Sequence, residues 1–392
     1  MSNDKWQMSW LNRREFLTVG AMGALCAVAI PPAAWAQRKA PELPLWVGTY
    51  TSGKSDGIYH CRMNSATGEV KCSNSMKAEN PSFLTFDRGR RYLYAVNEVR
   101  EFAGKPCGAV SAFAIDSTEG NLTLLNQQPS LGADPCHLAF DRTGKFLIVA
   151  NYTGGNISVL PIRRDGSLGP ATDVVQHRGF GIKAQQDGPH PHCVVMDRSN
   201  RILVSDLGID KVMIYRLAAT TGKLNASNAP WVSLSPGAGP RHLTLHPRAP
   251  FVYVINELNS TMTAFKYSGA RGSLRAIETV STLPKDFSDE SYCADVHVSP
   301  SGRYLYGSNR GHNSIAVFAI DQRSGRLNPV EHTSTKGKWP RNFVIDPTGR
   351  FLLVANQHSD TVITFRIDQR TGILSDTGYV AEIPAPVCLK FW

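Results

Sequence analysis

Histidine, arginine and acidic residues, which can do acid–base chemistry, are frequent at two fixed positions of a repeated pattern in this chain. One place is the start of an apolar run, and the other follows a second apolar run that usually ends in Asn. The first place holds Ser82, His137, His192, Arg241, His242, Asp295, Arg341 and Asn342, and the second holds Tyr50, Glu98, Tyr152, Leu207, Glu257, Arg310 and Gln357. A carboxylate, arginines and histidines that meet at one opening can activate water and stabilise an anion.

The pattern that carries these residues is an internal repeat. Each copy has a polar start, an apolar strand, a turn of the Asp-x-x-Gly-Arg kind and a second apolar strand. Six copies begin at Asn80, Asp134, His190, Gly239, Tyr292 and Trp339. Their spacing of roughly 46 to 56 residues is in the range of four-stranded propeller blades.

A seventh copy is divided between the two ends of the chain. Residues 385–391 supply only a first strand, and residues 45–50 supply the matching second strand. A blade that is built from both ends of the chain joins the first repeat to the last and so closes a ring. A divided unit has no such role in an open solenoid or in a set of sandwich repeats. The sequence therefore predicts an all-β fold, a seven-bladed β-propeller with four-stranded antiparallel blades. Pairing of the N- and C-terminal strands in one blade closes the ring.

The hairpin formed by the first two strands of each copy decides where the chemistry can lie. A tight turn, for example residues 346–350, closes one end, so the start of the first strand lies beside the end of the second. All seven open ends then face one mouth of the ring, where a rigid scaffold usually carries function. Alternation along a strand predicts that Arg241 and His242 point to opposite faces.

Three segments resemble a known family. Residues 237–242 (Gly-Ala-Gly-Pro-Arg-His), residues 254–260 (Val-Ile-Asn-Glu-Leu-Asn-Ser), and residues 287–289 together with 294–297 are similar to the bacterial 6-phosphogluconolactonases. The same family includes fungal carboxymuconate cyclases, and the similarity covers nearly all of the chain after the first 44 residues. The resemblance implies a site of one His, two Arg and one Glu. These fall on His192, Arg241, Arg310 and Glu257, which the mouth pattern indicates on separate grounds.

The activity implied by the resemblance is hydrolysis of a sugar lactone, which is an ester. We expect Glu257 or His192 to activate a water molecule. We expect Arg241 and Arg310 to hold the developing negative charge, or a phosphate or carboxylate of the substrate. The other residues expected to bind substrate are His137, His190, His242, Asn256, Asp295, Tyr152 and Gln357.

Alternative functions stay open at this stage. The lactone could be phosphorylated or an unphosphorylated aldonolactone. The chain could instead be a lactonising cyclase for muconate-type acids, or a non-catalytic propeller that binds a ligand or a protein. Arginines at the mouth favour a small anionic sugar lactone or acid as partner. The sequence has no Cys/His metal spacing, and we expect no serine hydrolase, no metal and no other cofactor.

The first residues contain the three parts of an export signal in the right order. Arg13 and Arg14 form a twin-arginine pattern, residues 19–30 form an apolar run, and residues 34–36 read Ala-Trp-Ala. We therefore expect residues 1–36 to be a twin-arginine signal that the export machinery reads and that is cleaved near Ala36. Residues 37–392 are then a periplasmic propeller lactonase domain.

Charge and cysteine content add two expectations. The formal net charge is +10, which favours anionic ligands. There is no run rich in Lys and Arg and no ladder of aromatic and basic residues, so we expect no nucleic-acid binding. Cys61 and Cys72 flank a turn at symmetric distances. A disulfide between them and an unpaired structural role both stay open.

Overall fold

Each repeat predicted from the sequence forms one sheet. The computed structural model describes residues 40–116 and 119–392, and the predicted export signal lies outside the described residues. In the described part, the strands form seven four-stranded antiparallel sheets, which we call blades 1 to 7. This arrangement confirms the fold class that the repeat predicts.

The strands follow the blades in chain order. Blade 1 begins with β1 (Glu42–Thr49), β2 (Gly57–Asn64) and β3 (Val70–Lys77). Blade 2 contains β4 (Leu84–Phe86), β5 (Tyr92–Asn97), β6 (Ala109–Ile115) and β7 (Leu122–Pro129). Blade 3 contains β8 (Pro135–Phe140), β9 (Phe146–Asn151), β10 (Asn156–Pro161) and β11 (Asp173–Gln176). Blade 4 contains β12 (Pro191–Met196), β13 (Arg201–Asp206), β14 (Lys211–Ala218) and β15 (Lys223–Ser233).

The remaining blades continue the same order. Blade 5 contains β16 (Pro240–Leu245), β17 (Phe251–Asn256), β18 (Thr261–Ser268) and β19 (Ser273–Ser281). Blade 6 contains β20 (Tyr292–Val298), β21 (Tyr304–Arg310), β22 (Ser314–Ile320) and β23 (Leu327–Ser334). Blade 7 contains β24 (Pro340–Ile345), β25 (Phe351–Asn356), β26 (Thr361–Ile367) and β27 (Leu374–Glu382), and β28 (Pro386–Phe391) completes blade 1. Short 3₁₀ helices span Ala184–Gln186, Leu207–Ile209 and Gln357–Ser359.

The divided copy closes the ring as predicted. Strand β28 pairs antiparallel with β1, with Leu45 opposite Phe391 and Val47 opposite Leu389. The innermost strands β4, β8, β12, β16, β20, β24 and β28 each contact the next one around the axis, and β28 contacts β4. Apolar side chains of adjacent blades pack between the sheets, so each blade buries its faces against two neighbours.

The repeated Asn at the end of the second strand has a structural role. Its side-chain amide donates a hydrogen bond to a backbone carbonyl of the loop that enters the same blade. The pairs are Asn97 with Glu79, Asn151 with Ser130, Asn309 with Thr282 and Asn356 with Thr335. This contact satisfies a loop carbonyl and fixes the loop beside the mouth.

A β-bulge interrupts most of the innermost strands near the mouth. In blade 5, Pro240 pairs with Asn256 and His242 pairs with Ile255, so that Arg241 is an extra residue. The corresponding extra residues are Cys136, His192 and Arg341 in blades 3, 4 and 7, and Ala294 with Asp295 in blade 6. Because a bulge re-aims a side chain, regular strand alternation does not fix the directions of Arg241 and His242, and their expected placement on opposite faces stays a prediction.

Cys61 and Cys72 form a disulfide, which decides between the two possibilities left open by the sequence. The two residues are opposite each other on β2 and β3. In the described part of the chain, the other cysteines are free and buried. No helix among the described residues has the length and apolar character needed to cross a membrane.

Candidate active site

Glu257 is held at the mouth by two arginines. It follows the end of β17, where its backbone N–H donates to the carbonyl of Gly239 at 2.7 Å. Its Oε2 lies 2.9 Å from Nε of Arg241 and 2.8 Å from Nη2 of Arg310. Both arginines therefore contact the same oxygen. Oε1 accepts no hydrogen bond from the described residues, and the side chain is 17% exposed.

The two arginines are nearly inaccessible, with side-chain exposures of 2% for Arg241 and 5% for Arg310. Arg241 donates to the carbonyl of Ala294 at 2.7 Å, and Arg310 donates to the carbonyl of Cys293 at 2.8 Å. Burial, together with the charges of Arg310 and Arg341, lowers the pKa of Arg241 to about 10. Arg241 keeps its charge at neutral pH, and the two guanidinium groups form a fixed cradle for Glu257.

The charge of Glu257 follows from this cradle. Burial alone acts to raise the pKa of its carboxyl group. The guanidinium groups of Arg310, Arg241 and Arg341 outweigh burial and lower the pKa below its ordinary value. Glu257 is therefore a carboxylate at neutral pH, with one oxygen directed to the mouth.

His192 is a neutral imidazole at the same mouth. Burial lowers its pKa well below the ordinary value, and the charges of Arg241 and Arg341 lower it further. Its Nδ1 is buried and has no hydrogen-bond partner among the described residues. Its ring packs at right angles to that of Tyr152, with 5.5 Å between the ring centroids.

Tyr152 lies between His192 and His190. The ring of His190 stacks on it at 4.4 Å, and both nitrogens of His190 are engaged, by the Tyr152 carbonyl at 3.0 Å and by Asp187 at 2.9 Å. Burial, with the charge of Glu257, raises the pKa of Tyr152. The phenol therefore stays protonated, and its hydroxyl has no protein partner among the described residues.

Three further predicted residues lie deeper along the axis. His137, His242 and Asp295 line a cavity of about 470 Å³ to which all seven innermost strands contribute. Nδ1 of His242 donates to Oδ1 of Asp295 at 2.8 Å, and Nε2 of His297 donates to Oδ2 at 3.0 Å. Burial, with the charge of Arg241, lowers the pKa of His242 to about 4. His297 thus has a hydrogen-bond partner within its own strand.

Two further predicted residues form no ion pair or hydrogen bond with Glu257, Arg241 or Arg310 among the described residues. Asn256 is buried, and its amide nitrogen donates to the hydroxyls of Thr261 and Thr263 at 2.9 and 3.0 Å within blade 5. Gln357 begins a 3₁₀ helix, and its Oε1 is buried without a partner among the described residues. The structure thus gathers Glu257, Arg241, Arg310, His192, Tyr152 and His190 at the mouth.

A second charged cluster lies at the same mouth. Tyr50 donates its hydroxyl proton to Oε1 of Glu98 at 2.8 Å and accepts a hydrogen bond from Nη2 of Arg341 at 2.7 Å. Ser82 donates to the other oxygen of Glu98. Arg341 also lies over the Tyr50 ring, 5.2 Å from its centroid. Sequence reasoning placed these residues at the mouth but not in the site, although Glu98 occupies the repeat position of Glu257.

No group of three or more His, Cys, Asp or Glu within residues 40–116 and 119–392 has the arrangement of a metal site. The chemistry available at the mouth is that of carboxylates, guanidinium groups, a neutral imidazole and a phenol. Such a set can hold water, accept and return a proton, and stabilise an oxyanion.

Comparisons with known proteins agree with this geometry. The profile of the family described as "Lactonase, 7-bladed beta-propeller" matches residues 44–391. The chain is 39% identical to the 6-phosphogluconolactonase of Bacillus subtilis over 350 residues, which are 88% of this chain and 97% of that protein. It is 36% identical to a 6-phosphogluconolactonase of Formosa agariphila over 309 residues, 77% of this chain and 86% of that protein.

A solved structure gives the same result. The periplasmic gluconolactonase of Pseudomonas aeruginosa matches with a TM-score of 0.86 and 36% identity, over 90% of this chain and 99% of that chain. Both the sequence and the blade arrangement are therefore shared over nearly the whole propeller. The chain belongs to the seven-bladed β-propeller lactonase family, and it is a lactonase.

Proposed function

We propose that the chain hydrolyses a sugar lactone at the mouth of the ring and that Glu257 is the general base. The observation that carries the proposal is the asymmetric contact of this carboxylate. Oε2 is held by two buried arginines, whereas Oε1 is free to accept a hydrogen bond from a water molecule. A fixed carboxylate with one open oxygen is suited to orienting and deprotonating an attacking water.

The reaction then proceeds in two steps. The water oxygen bonds to the lactone carbonyl carbon, one water proton passes to Oε1 of Glu257, and the carbonyl oxygen becomes an oxyanion. The bond between that carbon and the ring oxygen then breaks, and Glu257 returns the proton to the departing ring oxygen. The low pKa of Glu257 favours this return. The product is the open-chain hydroxy acid.

The oxyanion needs donors that are charged or protonated at neutral pH. Tyr152 has a protonated phenol with no protein partner, and the guanidinium groups of Arg241, Arg310 and Arg341 supply a positive potential. Preorganised donors of this kind stabilise the oxyanion, and this stabilisation usually supplies a large part of the rate enhancement in acyl transfer. In this proposal, His192 positions the ring of Tyr152 and is a second proton acceptor.

The cellular location is part of the same proposal. We propose that residues 1–36 are a twin-arginine signal and that the propeller works in the periplasm. The Cys61–Cys72 disulfide supports this, because disulfides persist in oxidising compartments. The similarity to a protein named periplasmic gluconolactonase supports it as well.

The experiment is a titration of acid released from glucono-δ-lactone by the purified protein and by Glu257→Gln and His192→Gln. We expect kcat to fall about 100-fold or more in Glu257→Gln, because general-base catalysis contributes on this scale. The loss in His192→Gln should be smaller. Retention of normal kcat by a folded Glu257→Gln protein would reject this mechanism.

A further inference from the structure

We infer that Glu98, Tyr50 and Arg341 form a hydroxyl-binding subsite that selects a neutral, polyhydroxylated lactone over a phosphorylated one. The inference rests on the proposed function and names its substrate class. It is carried by three observations: which charged groups at the mouth are accessible, how each is already bonded, and how the charges balance.

Accessibility distinguishes Arg341 from the other two arginines. Its side chain is 19% exposed, whereas those of Arg241 and Arg310 are 2% and 5% exposed. Arg241 and Arg310 are committed to Glu257 and to backbone carbonyls. Arg341 is thus the guanidinium group that a substrate can reach from the mouth.

Arg341 and Glu98 keep hydrogen-bond donors and acceptors that the protein does not use and that a ligand can bind. Arg341 uses one nitrogen for Tyr50, and its other N–H groups have no protein partner among the described residues. Glu98 is held on both oxygens, by Tyr50 and by Ser82, yet each carboxylate oxygen accepts two hydrogen bonds. Arg341 offers donors and Glu98 offers acceptors, and a sugar hydroxyl group needs one of each.

The charge balance disfavours a phosphate ester. The accessible groups are one guanidinium and two carboxylates, because Glu98 and Glu257 are 16% and 17% exposed. A phosphate carries nearly two negative charges at neutral pH. Arg341 is the cation that it can contact directly, because Arg241 and Arg310 are buried and already paired with Glu257. Hydroxyl groups carry no charge, and a carboxylate accepts their hydrogen bonds.

The second cluster acts at the same opening as the first. The charge of Arg341 contributes to the lowered pKa of both Glu257 and His192. Burial raises the pKa of Tyr50, so that the phenol keeps its proton and continues to donate to Glu98. A lactone ring placed against Glu257 can therefore direct its hydroxyl groups to Glu98 and Arg341 in a fixed arrangement.

The test measures kcat and KM for three lactones: glucono-δ-lactone, its 6-phosphate, and δ-valerolactone, which has the same six-membered ester ring without hydroxyl groups. The variants are Glu98→Gln and Tyr50→Phe, with Glu382→Gln on the outer strand β27 as a matched control. We expect both mouth variants to raise KM for glucono-δ-lactone about 10- to 100-fold. Their kcat/KM for δ-valerolactone should stay within about twofold of the wild-type value, because this lactone has no hydroxyl groups to lose a hydrogen bond. The loss of a hydrogen bond to a charged group would change kcat/KM by more than this.

The outcomes of these assays separate the substrate class, the subsite and the proposed hydrolysis. The wild-type protein should prefer glucono-δ-lactone to its 6-phosphate, and the reverse preference overturns the substrate class. Equal losses on glucono-δ-lactone and δ-valerolactone, or no loss on either, overturn the subsite while the proposed lactone hydrolysis stands. A wild-type protein that hydrolyses none of the three lactones overturns both proposals.

Discussion

Nε of Arg241 lies 2.9 Å from Oε2 of Glu257, although it is not aligned for a hydrogen bond. The contact is a charge pair between a nearly inaccessible guanidinium group and a carboxylate that keeps its other oxygen free. Glu257 therefore stabilises the charges of two buried arginines while it faces the mouth. The same residue should matter for stability and for catalysis, and the two effects can be measured apart.

Glu257→Gln should lower the free energy of unfolding by about 2–3 kcal/mol, because it leaves two buried guanidinium groups without their counterion. Urea unfolding measures this change. The matched control is Glu278→Gln, whose side chain has the same 17% exposure but pairs with Arg326, which is 61% exposed. We expect the control to cost about 0.5 kcal/mol. Equal losses in the two variants would contradict a buried ionic cradle.

Arg310→Met should raise the pKa of Glu257, because Arg310 is the largest of the charges that lower it. If Glu257 must be ionised to act as base, the acidic limb of the kcat/KM profile should move to higher pH in this variant. Rates between pH 3 and 8 measure the shift. Arg275→Met, at an exposed position on β19, is the control and should leave the profile unchanged. An unmoved acidic limb in Arg310→Met would exclude Glu257 as the titrating group.

Acid should destabilise the fold through its buried histidines. Burial, with the charge of His242, lowers the pKa of His137 well below its ordinary value, and its Nδ1 accepts a hydrogen bond from the Val194 N–H at 3.3 Å. The unfolded chain binds a proton at its ordinary pKa and the folded chain does not, so stability is lost as the pH falls below about 6.5.

His137→Gln should flatten this pH dependence by up to one proton, or about 1.4 kcal/mol per pH unit. The measurement is the free energy of urea unfolding between pH 7 and 4.5, with His297→Gln as the control at a partly exposed position. A wild-type slope that persists unchanged in His137→Gln would show that this residue is not involved.

Removal of the disulfide should affect stability and leave catalysis unchanged. Cys61 and Cys72 are 11 residues apart in sequence, and a cross-link that closes a loop of this size contributes about 2–3 kcal/mol. The double variant Cys61→Ala with Cys72→Ala should lose this amount and retain kcat, because the pair joins β2 and β3, away from Glu257. Dithiothreitol should lower the Tm of the wild type alone. Equal sensitivity of the double variant would indicate another cause.

The repeat in the sequence was sufficient to predict the ring, since each copy carries its own turn and strand signals. The division of one copy between residues 45–50 and 385–391 predicted the closure. The hairpin rule also placed Glu257 and Arg310 at the same opening as His192 and Arg241. These inferences succeed because they depend on period and local geometry, which are readable along the chain.

The contacts of the individual side chains could not be predicted from the sequence by the repeat or by the hairpin geometry. A bulge adds one residue to a strand without a clear sequence signal, so the sequence could not fix the directions of Arg241 and His242. Arg341 and Tyr50 come from blades that meet only at ring closure, and no local pattern joins them. Asn256 shares its motif with Glu257, but two threonines of its own blade engage its amide.

The use of β28 as the innermost strand of blade 1 has a consequence for protein synthesis. Strands β1 to β3 leave the ribosome first, yet the strand that covers their inner edge is made more than three hundred residues later, as the Leu45–Phe391 pairing shows. Blade 1 must therefore wait with an unprotected edge through most of translation. Nascent chains stalled before residue 386 should be open arcs that are sensitive to protease and to aggregation, and release of the final strand should complete the protein in one late step.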